Sequence, residues 1–305
     1  MATLKGQNIR LLQYSSSGGG KFEVFAKSTS ATVTLAGNTE DASHKDIVGN
    51  AAMPTIVSKS WQMQLESLST LDMYAILSAM LNNTQIAVCF DEVSTADNQT
   101  PEGADFAHFG NAYISDATFN FNDRENAVKS ITLSGTGALS KDTAPQIVEV
   151  EPSMAFTKGQ FVRLFLGNDN SATPSAVLAF AKQLAFHVSV SLESTTTKDT
   201  EGDWIVQEPV GLSYDISTNA LVRSGDSITS QVSGQTFANL EDIYKASAPV
   251  KFEIANVSGA NNRTKGSVLI SGSVVITSLA LNAPNRQVAT YDCQMQGFGN
   301  FSVVH

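Results

Sequence analysis

The chain has 305 residues, with 19 Lys plus Arg against 29 Asp plus Glu, a net charge of −10, and 42% of its residues are hydrophobic. Over this length that apolar share suffices for two domains that each bury a core, and the acidic balance argues against adhesion to DNA or anionic lipid through a general basic surface. No apolar run approaches the roughly 18 residues of a membrane span, and the stretch MATLKGQNIRLLQ lacks the apolar segment of a signal peptide.

In chain order, residues 9–14 read as a first strand, ended by the small-residue turn SSSGGG, and 22–28 pair back on it as a hairpin. Thr32-Val33-Thr34-Leu35 alternates with the period of a half-buried strand. From 37 to 56 the periodicity disappears, so GNTEDASHKDIVGNAAMPTI reads as a long polar loop, a feature that inside a compact domain is usually functional. Residues 57–68 then place Trp61, Met63 and Leu65 on one face and Gln62, Gln64 and Glu66 on the other. A helix runs to Leu81, capped by Ser69 with Asp72 near its positive end, and apolar on enough sides to be covered either by its own domain or by a second subunit as well. A strand at 85–90 and an irregular stretch at 91–109 precede a hairpin of 111–122 and 127–135 across Asp123-Arg124-Glu125-Asn126. PQIVEVEP marks a linker, which we place at 145–157.

The second half repeats this plan. Strands are expected at 161–166, 177–183, 186–193, 211–222, 250–257, 267–282 and 287–296, with one helix at 237–248 stopped by Pro249. The irregular run 194–209, STTTKDTEGDWIVQEP, falls where 37–56 falls in the first half.

The repetition extends to the residues themselves. KGQNIRLLQ at 5–13 recurs as KGQFVRLFL at 158–166, an offset of 153, about half the chain. Phe25-Ala26-Lys27 and the run from Thr32 recur at an offset of 155 as Phe180-Ala181-Lys182 and the run from His187; Asp72 and Tyr74 match Asp242 and Tyr244 at 170; SGTGALS matches QGFGNFS at 162. We therefore expect a mainly β chain of two tandem units, 1–144 and 158–305, each a β-sandwich or barrel with one flanking helix and one long loop.

No catalytic set emerges, and no cofactor or metal site is expected. The four histidines have no ligand spacing, and His187 on its alternating strand reads as an ordinary half-exposed residue. Gly135-Thr136-Gly137 and Gly297-Phe298-Gly299 follow strands without leading into helices, which fits strand-end bends rather than a phosphate loop. Asp41, His44 and Asp46 read as a solvated loop face, since the matching loop offers only Lys198, Asp199 and Glu201. Cys89 and Cys293 are expected as reduced, buried thiols.

The order of features from KSTSATVTLAG through the loop with EDASHKD to KSWQMQLESL and its helix, together with the SGTG and QGFG strand ends, resembles the major tail tube proteins of long-tailed bacteriophages. The resemblance covers both halves. It implies a structural, non-enzymatic protein of the virion tail, assembled in the host cytoplasm into stacked rings whose lumen passes DNA without binding it specifically. Two units in one chain are similar to the tube proteins that form homotrimeric, pseudo-hexameric rings, here without the added immunoglobulin-like domain of some members. The resemblance also implies partners at the tube ends, a tail terminator and tail tip or baseplate proteins, and a sheath if the tail is contractile. The long loops would reach the adjacent ring, with Glu40, Asp41, His44, Lys45 and Asp46 in the first and Lys198, Asp199, Glu201 and Trp204 in the second. A carbohydrate- or cell-surface-binding β-sandwich of a tail fibre or adhesin is the competing reading, for which Trp204 would be the exposed aromatic.

Overall fold

The computed structural model describes residues 6, 9–15, 21–24, 28–43, 52–68, 73–92, 108–140, 157–178, 180–200, 202–222, 234–258 and 264–304. The first half contributes β1 (Ile9–Ser15), β2 (Lys21–Val24), β3 (Ser28–Asp41), β4 (Pro54–Leu68), α1 (Met73–Leu81), β5 (Ile86–Glu92), β6 (His108–Asn122) and β7 (Val128–Ser140). After a 3-10 turn at Gly159–Phe161 come β8 (Val162–Leu166), β9 (Ala176–Leu178), β10 (Ala181–Ser194), β11 (Gln207–Leu221), β12 (Gly234–Gln235), α2 (Phe237–Ala246), β13 (Val250–Asn256), β14 (Val268–Asn282), β15 (Thr290–Gly297) and β16 (Ser302–Val303). The expected caps Ser69 and Asp72, most of 91–109 and the linker up to residue 156 lie outside the described residues.

Neighbouring strands run β2-β1-β5-β6-β7-β4-β3 in the first half and β9-β8-β13-β14-β15-β11-β10 in the second, the same order with corresponding strands. Short β12 adds to β9 and β16 to β14. The halves are not separate sheets. Strand β10 pairs antiparallel with β6, Gln183 opposite Asn122 through Ser189 opposite Asp116, so that all sixteen strands form one open sheet. Strand β6 can accept it because β5 covers that edge only from His108 to Ala112, leaving its last two thirds free, while β7 occupies the other edge.

Correspondence between the halves is fixed by register. Thr34, Gln62 and Ser134 stand side by side on β3, β4 and β7, as His187, Asp215 and Gln296 do on β10, β11 and β15. A register irregularity falls between Ile114 and Asp116 on β6 and between Ile276 and Ser278 on β14. Residues with positive φ also match, Arg124 (61°) with Arg286 (62°) and Asn83 (50°) with Ser247 (52°). The offsets are 187 − 34 = 153 for β3 and 286 − 124 = 162 for the last hairpin. Two sequence matches are thereby displaced: the counterpart of His187 is Thr34, two residues from the expected Thr32, and that of Tyr244 is Met80 (247 − 83 = 164), not Tyr74. On a strand a short identity slides easily by a residue pair, because the burial pattern is unchanged by that slip; the helix match slid by six residues on the two identities Asp72 and Tyr74 alone.

The long loop expected at 37–56 is mostly strand. β3 continues to Asp41 and β4 begins at Pro54, with Asp41 opposite Pro54. Both faces of this extended hairpin are exposed, so no hydrophobic alternation marks it in the sequence.

One face of the sheet carries the core. Met63, Leu65, Ile131, Leu133, Ala117, Phe119, Phe186, Val188 and Ile216 are buried there in a single cluster that crosses from one half to the other. The helix α1 lies near β6 and α2 near β14. Met73, Ile76, Leu77 and Met80 of α1 are buried within the chain, while Tyr74 stays exposed. The closing glycines are used for close approach: a Cβ on Gly135 would lie 2.1 Å from the Trp61 ring, and one on Gly297 2.5 Å from the Tyr214 ring, its counterpart. Gly135-Thr136-Gly137 therefore lies inside β7, which continues to Ser140, whereas β15 does end at Gly297. Cys89 and Cys293 are free and buried, and burial pushes both thiols up to about 12.

Candidate functional site: the polar sheet face and its arms

Opposite the core, the sheet presents a polar face. One row of directly opposed residues runs Ser30, Glu66, Ser130, Thr118, His187, Asp215 and Gln296 across seven strands and both halves. The adjoining row reads Thr32, Gln64, Thr132, Asp116, Ser189 and Ser213. Neither row contains Lys or Arg, and the side chains between them in sequence, Leu65, Ile131, Ala117 and Val188, point into the core by the alternation of a strand. The sequence pattern made the faces of 57–68 legible, but not that β10 joins β6 and extends the polar face over both halves.

His187 sits at that joint. Its Nε2 lies 2.6 Å from Asp116 Oδ2 on β6 and its Nδ1 2.7 Å from Asp215 Oδ1 on β11. Burial alone would lower its pKa, but the hydrogen bonds and charges of the two carboxylates outweigh this and raise it. When doubly protonated, the ring donates from both nitrogens, and its bond to Asp116 ties the second half to the first. Rather than an ordinary half-exposed residue, His187 is a cross-junction tie; no local spacing revealed it, because its partners come from strands 71 and 28 residues away.

The arms differ in what they touch. Glu40 and Asp41 are exposed at the end of β3, where the Ser43 hydroxyl, followed by the backbone N–H groups of Ser43 and Met53, donates to Asp41 and holds its carboxyl below the usual range. His44, Lys45 and Asp46 lie outside the described residues, as does Glu201. Lys198 and Asp199 are exposed in the turn between Thr197 and Thr200, closed by the Thr197 N–H on Thr200 Oγ1. Trp204 is half-buried and docked on the first half of its own chain. It forms a parallel bridge with Lys59, flanked by Lys59 N–H to Asp203 O (2.7 Å), Ile205 N–H to Lys59 O (2.9 Å) and a Lys59–Asp203 ion pair at 3.0 Å. The second arm is thus anchored at its base along β4 and β7, where Gly137 N–H also reaches Ile205 O, and Trp204 is partly buried against the core cluster.

Residues 158–303 match the family model described as phage tail tube protein. Among solved structures, the chain is similar to the tail of an empty gene transfer agent particle refined in C6 symmetry, at 15% identity and a TM-score of 0.37, covering 49% of this chain and 99% of that one. The virion of a native gene transfer agent particle gives the same values. The SPP1 tail tube is similar at 16% identity and a TM-score of 0.35, covering 46% of this chain and 75% of that one. No curated protein matches the chain.

Proposed function

We propose that this chain, whose residues 158–303 match the phage tail tube protein family model, is a structural virion protein that polymerises into the hollow tail tube and forms a conduit for DNA. The two halves, 1–144 and 158–305 joined by the linker 145–157, are copies of one tail-tube unit, and three chains close a ring of six units. Its role is assembly, without a reaction to catalyse.

The observation that carries this reading is the pair of continuous polar rows that cross both halves without Lys or Arg. A conduit needs a wet wall that does not hold phosphate. Each phosphate neutralised by Lys or Arg adds affinity through counterion release, whereas carboxylates such as Glu66, Asp116 and Asp215 repel phosphates that come within a Debye length of about 8 Å. We assign this face to the lumen and the helix-bearing face to the outside. The exposed arms, with Glu40 and Asp41 near the end of one and Lys198 and Asp199 in the other, extend toward the next ring.

Lysines placed on the polar face test the assignment. With Gln62→Lys, Thr118→Lys and Gln294→Lys combined, assembled tubes should retain double-stranded DNA in a filter assay at low salt and release it as salt rises, while wild-type tubes retain none. Equal retention by both would remove this face from the lumen.

A further inference from the structure

The internal joint between β10 and β6 has an unfilled equivalent at each end of the chain. The counterpart of β10 is β3, which pairs only with β4 among the described residues, and the counterpart of the β10-bearing part of β6 is residues 278–282 of β14, whose edge away from β15 has no described partner. We infer that β3 of one copy pairs with residues 278–282 of β14 in a second copy, antiparallel and in the register of the internal joint. Transferring His187 opposite Thr118 by the offsets of 153 and 162 puts Thr34 opposite Ala280, Val33 opposite Leu281 and Leu35 opposite Leu279.

Burial supports this pairing independently of topology. At the internal joint Val188 and Phe119 are both 0% exposed; at their counterparts Leu35 is 57% and Leu281 52% exposed. The same positions are apolar in both places, but only the internal pair is covered. Neither free edge carries the devices that keep sheet edges apart: ATVTLAG at 31–37 and SLALN at 278–282 contain no charge and no proline. Each copy offers one edge of each kind, so the contact is heterologous and propagates head to tail until it closes.

The outer joint differs chemically from the inner one. Thr34, Ser278 and Gln62 stand where His187, Asp116 and Asp215 stand, so a neutral hydroxyl and amide set replaces the ionised tie.

This inference rests on the proposed self-assembly, and the test separates the two. The Val33→Cys, Leu281→Cys double variant is oxidised under assembling conditions, with each single variant and the pair Val33→Cys, Thr277→Cys, four residues out of register, as controls. The native thiols of Cys89 and Cys293 are buried and free. Expected is a ladder of disulfide-linked multimers on a non-reducing gel from the in-register pair alone. Rings or tubes in electron micrographs without that ladder would overturn the joint and leave the tube reading standing; neither assemblies nor cross-links would overturn both. As a second measurement, Leu35→Glu and Leu281→Glu, both at positions exposed in the single chain, should keep the circular dichroism of the wild type and lose multimers. Unchanged multimers in either variant would overturn the pairing.

Discussion

His187 makes the junction between the halves sensitive to pH. Its folded pKa is raised, above the roughly 6.5 of a free imidazole, so its contribution is complete below that value and is lost as pH rises through the folded one. Once neutral, the ring has a single N–H and can serve only one of Asp116 and Asp215 as a donor. His187→Asn should lower the unfolding free energy measured in urea more at pH 5.5 than at pH 9, by on the order of 1 kcal/mol after solvent screening; an equal loss at both values would make the residue a mere space filler. The glycines facing Trp61 and Tyr214 act through shape. Gly135→Ala puts a methyl inside the Trp61 ring's contact distance, and the resulting overpacking should destabilise by about 1–3 kcal/mol, with Gly297→Ala similar against Tyr214. Stability within 0.5 kcal/mol of wild type, on the order of an ordinary surface change, would mean that the ring moves aside. The sequence marked both glycine pairs as unusual, yet their reason lies across the sheet, on a strand more than 70 residues away.

At the scale of elements, long alternating strands were the most legible. Val57 to Leu68 shows its buried and polar faces directly, and β4 carries them as read. The arm was not legible, since a hairpin exposed on both faces has nothing to alternate. Because Thr39–Asp41 pair with Ile56–Pro54, the removable part of the first arm is its tip. Replacing residues 42–53 with an Asn-Gly turn should preserve the fold and the ring but abolish stacking. Tubes of normal length from this variant, seen in negative stain, would free the arm from that role. The base of the second arm is held instead within the chain, and Asp203→Ala, which breaks only its exposed ion pair with Lys59, should change stability by less than about 1 kcal/mol.

For the whole molecule, the duplicated strand order was visible in outline as recurring segments, whereas the joint was not. Sequence similarity between halves says nothing of which edges meet; that depends on β6 outlasting β5 by enough residues to leave an edge for β10. The same geometry gives the account its reach, because a chain that contains one finished joint and two half-joints specifies how its copies combine. The most direct test is a cryo-electron microscopy map of the assembled protein. It should show rings of three chains with six similar strand joints, every second one bearing His187 between Asp116 and Asp215, and with Glu66 and Thr118 facing the bore. Chains that meet through their arms alone, with β3 open to solvent and the polar rows on the outer wall, would contradict it.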